Sequence, residues 1–118
     1  MLAGLATALT LFVAVSHFGF MILESVLWTR PQGRKIFGNT VEQAQQTRVL
    51  AANQGIYNGC LGAAIVWSVA AGDTAATLVL LSFVVVVGIY GAATASRTIL
   101  FVQAAPALLA AALTLLAG

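Results

Sequence analysis

A chain of 118 residues, 61% hydrophobic and only 7% charged, has too few polar side chains to clothe a water-facing surface, since a soluble domain carries about 25% charged residues. A mean hydropathy of +1.02 makes lipid the solvent for most of it. The net charge of +2 rests on five basic residues, so their placement matters more than their sum. The single cysteine, Cys60, excludes an intrachain disulfide and a Cys-rich metal site; in an apolar helix it reads as a small buried hydrophobe.

The first apolar stretch covers about residues 2–27. It has no positive leading region, and its apolar run continues to Trp28 without a cleavage site, so it reads as a retained span and not a signal peptide. A long connection, 28–48, follows, in which Pro31, Gly33 and Gly38 break helices. Thr40 with Gln43 three residues later is a capping box, which starts the second helix near Val41, two turns before lipid, through the polar stretch 42–48.

The second span covers about 49–71 and ends at Gly72, with Asp73 or Thr74 capping the next helix. The third covers about 75–94; its Val84–Val87 run favours strand in water, but unpaired backbone is not tolerated in lipid and a helix is required. After the short turn 95–98 comes the fourth span, about 99–116, where Pro106 removes a backbone donor and predicts a kink. Each stretch is long enough to cross a hydrocarbon core of about 30 Å. The expectation is a single all-α domain, 1–118: a four-helix transmembrane bundle with its second helix extended into the cytoplasm. Gly55-xxx-Gly59, Gly88-xxx-Ala92 and Gly91-xxx-Ala95 mark close helix approaches, either within the chain or in a homodimer.

Charge placement predicts orientation. Arg30, Arg34, Lys35 and Arg48 lie between spans one and two, and Arg97 between spans three and four, with no Lys or Arg on the opposite side. The positive-inside rule puts both basic connections in the cytoplasm and both termini on the non-cytoplasmic side of a bacterial inner membrane. The partner expected for these charges is anionic lipid. A nucleic-acid partner is excluded by the lack of a basic, aromatic-interleaved surface.

Ionisable groups inside a membrane helix are costly and mark function by default. His17 and Glu24 lie seven residues apart, two turns along one face, and Trp28 extends that stripe. Span two adds Asn53, Gln54, Tyr57 and Asn58, span three Tyr90 and span four Gln103. At about 1.5 Å per residue, Glu24 lies about 5 Å from the cytoplasmic end and His17 about 15 Å. On the same measure Gln54 lies about 9 Å deep, Asn58 about 15 Å and Gln103 about 8 Å. The outer half holds little beyond Thr7, Thr10, Ser68, Thr77 and Thr114, hydroxyls able to bond their own helix. This pattern predicts a pocket open to the cytoplasm and sealed outward. The plainer alternatives are an ion partner for Glu24 among the arginines, a neutral His17 bonding Asn58 or a backbone carbonyl, amides serving as interhelical glue, and tyrosines that only pack.

At His17-x6-Glu24-x3-Trp28, Pro31-x-Gly33-Arg34-x-x-Phe37 and Ala52-Asn53-Gln54-Gly55-x-Tyr57-Asn58-Gly59 the chain resembles a family of small bacterial four-helix membrane proteins catalogued as a domain of unknown function. The resemblance spans nearly the whole chain, implies four spans and brings no activity with it.

The leading expectation is a site that binds, and transforms by isomerisation or another proton transfer, a small amphiphilic molecule. Glu24 is its general acid or base and His17 a second proton-transfer or orienting group. Asn53, Gln54 and Asn58 hold polar substrate atoms, Tyr57 and Trp28 form walls, and Tyr90 and Gln103 contribute from the later spans. No cofactor is required for that chemistry. Alternatives are a dimeric transporter or proton-coupled carrier, a metal or haem site using His17 and Glu24 across a dimer, and an accessory subunit. One His per chain is thin for a metal, because most sites use three or four protein ligands.

Overall fold

The computed structural model describes residues 1–118, the side chain of Leu100 excepted. Every regular element among the described residues is helical: α1 (Leu2–Ser25), α2 (Pro31–Phe37), α3 (Val41–Ala70), α4 (Thr74–Thr94), α5 (Arg97–Ile99), a π-helical stretch Leu100–Ala104 and α6 (Ala105–Ala117). Four stretches are long and apolar enough to cross a membrane: Leu2–Ser25, Val41–Ala70, Thr74–Thr94 and Arg97–Ala117. Only 18–28% of each is buried by protein, and large apolar side chains such as Phe12, Val15, Val66, Trp67 and Val86 point outward. In water that surface would be an aggregation hazard; in lipid it is the solvated face.

Local chemistry sets the helix ends. The Thr40 N–H donates to Gln43 Oε1 (2.9 Å) and the Gln43 N–H to Thr40 Oγ1 (3.1 Å), a reciprocal capping box that starts α3 at Val41. Gly72 takes φ +65°, open to glycine at no steric cost, and Asp73 caps α4 by accepting from the Ala76 N–H at 2.9 Å. The connection after α1 departs from expectation. Pro31 and Gly38 do not break it; they bound a helix, with Pro31 in the first turn, where no N–H is needed, and Gly38 at φ +69° closing the end. The helix α1 itself stops at Ser25, so Trp28 lies beyond it and does not continue the His17–Glu24 stripe.

The chain divides into two compact units, Ser16–Gly62 and Met1–Val15 with Ala63–Gly118. In Ser16–Gly62 the later part of α1 meets the earlier part of α3 at glycines. A Cβ on Gly55 would stand 3.0 Å from the Met21 carbonyl oxygen and 3.2 Å from Glu24 Cβ, and one on Gly59 would strike the Met21 sulfur. The Gly-xxx-Gly stripe is therefore used within the chain. Gly33 of α2 seats against the Leu27 carbonyl, which a Cβ would meet at 1.9 Å. The Trp28 indole N–H donates to Thr47 Oγ1 (3.0 Å), and its ring lies 4.7 Å from that of Phe37. Cys60, expected to be buried, is exposed on the outer side of α3. Buried positions on that helix belong to the contact side, where Ala51, Gly55 and Gly59 sit, and residue 60 falls off that side.

In the other unit the buried core includes Val13, Ile65, Leu81, Val84, Ala107 and Ala110. Gly88 approaches Ala104 so closely that a Cβ would lie 2.8 Å from the alanine Cβ, and Gly91 meets the Ile99 side chain. The distortion predicted at Pro106 takes the form of the π-helical stretch just before it, with Pro106 in the first turn of α6.

Candidate functional site

The centre of interest in Ser16–Gly62 is a carboxylate held by an amide. Glu24 sits in the last turn of α1, half-buried, and accepts a hydrogen bond of 2.5 Å from Asn58 Nδ2 on α3. Gly55, three residues before Asn58, makes this contact available, because only a residue without a side chain lets the α3 backbone come so near Glu24. The amide donor satisfies one carboxylate oxygen that would otherwise face apolar surroundings without a partner.

His17 lies two turns before Glu24 on the same helix and is fully buried, with Phe20 edge-on at 5.3 Å. Burial removes the imidazole from bulk water. Among the described residues no three His, Cys, Asp or Glu side chains gather as a metal-ligand set.

The remaining expected residues are placed as follows. Asn53 Nδ2 donates to the Val49 carbonyl of its own helix at 2.9 Å, while Gln54 and Tyr57 are exposed. Trp28 is engaged by Thr47 and Phe37, clamping the connection to α3. Tyr90 on α4 is exposed and Gln103 in the π stretch is half-buried; both belong to the other unit.

Two features escaped the sequence. An open groove of about 370 Å³ is lined by Ser25, Arg48, Val49, Ala52, Asn53 and Ile56. The α3 residues in it recur at intervals of one, three and four, a helical face that the spacing alone could have revealed. In the other unit, a hollow of about 230 Å³ is lined by Thr7, Thr10, Ser68, Thr74, Thr77 and Thr114 together with small residues. Back-bonding was foreseen and occurs: Thr10 donates to the Ala6 carbonyl, Ser68 to Ile65 and Thr114 to Ala110. The expected sealed end instead holds this hollow, because these hydroxyl-bearing positions are flanked by Ala3, Ala6, Gly72 and Ala117, too small to fill the space between helices.

An all-helical chain with four membrane-length helices and a carboxylate–amide pair joining two of them has the makeup of a small multi-pass membrane protein. It belongs to the family described as "Protein of unknown function (DUF1304)", matched over residues 11–115. It is 30% identical over 110 residues to the uncharacterized protein YpaA of Lactococcus lactis subsp. lactis (strain IL1403), a match covering 90% of this chain and 92% of that protein. No solved structure matches it significantly.

Proposed function

We propose that the chain is an inner-membrane protein, with both termini on the non-cytoplasmic side, whose Glu24–Asn58 site opens toward the cytoplasm. There it binds a small amphiphilic molecule and transforms it by proton transfer. The observation that carries this reading is the Asn58 hydrogen bond to Glu24 inside membrane-length helices. A carboxylate costs several kcal/mol in lipid and persists where it has a task. Glu24 moves the proton, Asn58 sets the carboxylate's orientation, and His17 is the second proton-handling group. Asn53 and Gln54 meet polar atoms of the ligand, and Tyr57 flanks it.

The test is to purify the wild type, Glu24→Gln and His17→Ala in mild detergent and to identify co-purifying amphiphiles by mass spectrometry, alongside growth of cells carrying each form. The expected result is an amphiphile enriched on the wild type whose amount or chemical form changes in both variants. An unchanged set of molecules together with unchanged growth would sink the reading. For orientation, a reporter active only in the cytoplasm should be silent at the C-terminus.

A second reading, a dimeric carrier, draws on the hydroxyl-lined hollow formed by Thr7, Thr10, Ser68, Thr74, Thr77 and Thr114. Flux of substrate or protons across vesicles containing the purified protein favours the carrier; binding and turnover without flux favours the enzyme.

A further inference from the structure

The groove on Ser16–Gly62 has a chemical gradient along its length. Its α3 wall presents Arg48 first, then Asn53, then Ile56, with Val49 and Ala52 between, and Ser25 faces them from the end of α1. At about 1.5 Å per residue, Asn53 lies about 7.5 Å and Ile56 about 12 Å along the axis from Arg48. A guanidinium, then an amide and a hydroxyl, then branched hydrocarbon is the order in which a phospholipid presents its phosphate, its glycerol-ester region and its acyl chains.

The polar groups have complementary capacities. The guanidinium offers several donors in a planar fork suited to phosphate oxygens. Asn53 spends one N–H on the Val49 carbonyl, which fixes the amide and leaves its second N–H to donate to an ester carbonyl. Ser25 spends its hydroxyl hydrogen on the Met21 carbonyl, so toward a ligand it presents lone pairs that can accept from a headgroup hydroxyl and not bind an ester. Arg48 is also the basic residue nearest the start of the second apolar stretch, level with phosphates if α3 crosses the bilayer.

We infer that this groove is a binding site for the phosphate of an amphiphile, with Arg48 holding the phosphate, Asn53 the polar neck, and Val49, Ala52 and Ile56 the chain. The inference does not depend on proton transfer at Glu24.

The experiment is native mass spectrometry of the full chain in detergent, titrated with phosphatidylglycerol, with diacylglycerol of the same chains, and with phosphatidylglycerol plus inorganic phosphate as competitor. The expected result is one phosphatidylglycerol per chain, bound about tenfold more tightly than diacylglycerol, with Arg48→Gln abolishing that preference. Ile56→Trp, which keeps every charge and fills the apolar end, should weaken phosphatidylglycerol binding as well. Arg30→Gln should leave it unchanged. Three results would overturn the site: wild-type binding in Arg48→Gln, an equal loss in Arg30→Gln (diffuse surface charge), or displacement of the lipid by equimolar inorganic phosphate (a free-phosphate site). Unaltered gel-filtration elution of each variant separates loss of binding from loss of fold.

Discussion

Asn58 donates to the Glu24 carboxylate across 34 residues of chain, and it does so where Gly55 brings the two helix backbones together. The bond is therefore both a packing contact and the setting of an ionisable group. Replacing Asn58 with Leu should leave the carboxylate without its donor. A double-mutant cycle with Glu24→Leu should return a coupling of about 1 kcal/mol, at the upper part of the range for polar pairs in membrane helices. Reversible unfolding in mixed micelles measures it; zero coupling would mean the pair contributes orientation only.

Glycine substitutions separate close approach from mere flexibility. Gly33→Ala places a methyl 1.9 Å from the Leu27 carbonyl oxygen, whereas Gly19→Ala meets nothing within 4 Å. The first should destabilise by about 3 kcal/mol, at the severe end of overpacking. The second should stabilise by up to about 1 kcal/mol through helix propensity. The opposite signs in one unfolding assay are the expected signature.

Gly88→Ala is a closer contest. The added Cβ would lie 2.8 Å from the Ala104 Cβ and 3.0 Å from its backbone nitrogen. Overpacking costs about 1–3 kcal/mol, more than the propensity gain of about 1 kcal/mol, so net destabilisation is expected in the same assay. Ala104 ends the π-helical stretch, so the variant should also shift backbone resonances of residues 100–104.

The capping box offers a local test. Thr40→Ala removes an acceptor for the Gln43 N–H, and Gln43→Ala removes the acceptor for the Thr40 N–H. Each should cost about 1 kcal/mol, with the double variant costing less than the sum because the two bonds support one turn. Amide exchange at residues 41–44 should quicken while exchange at 74–77, capped by Asp73, stays the same.

Much of the architecture was legible because lipid leaves few choices. Four long apolar stretches can only be helices, and Thr40, Gln43, Gly72 and Asp73 act through their immediate neighbours, so spacing along the chain suffices to place them. Pro31 and Gly38 were misread because the same residues that interrupt a long helix bound a short one. Composition does not tell these apart without the Leu27–Gly33 contact. Glu24 and Asn58 were both selected for their cost in lipid, yet their pairing was not foreseen. Depth makes Asn58 a ligand-binding residue or, in the plainer alternative, a partner for His17, and depth does not say which faces of two helices meet. Spacing alone puts Trp28 on the His17–Glu24 stripe, which requires α1 to run three residues past its end at Ser25. The hydroxyl-lined hollow was hidden for a different reason: a sequence shows which side chains are small, but not that several of them leave the same space empty.

The contact at Gly33 reaches beyond stability. With the Leu27 carbonyl pressed against α2, Arg34 Nε donating to the Thr29 carbonyl and Trp28 tied to Thr47, residues 27–38 form a braced ledge and not a slack tether. Arg30, Arg34 and Lys35 ride on that ledge, so they form one patch at fixed spacing. If the proposed cytoplasmic orientation holds, the three would act on an anionic leaflet together, at about 1 kcal/mol for each basic residue. A glycine with no chemistry of its own thus decides whether those charges move as a single body or as three separate points.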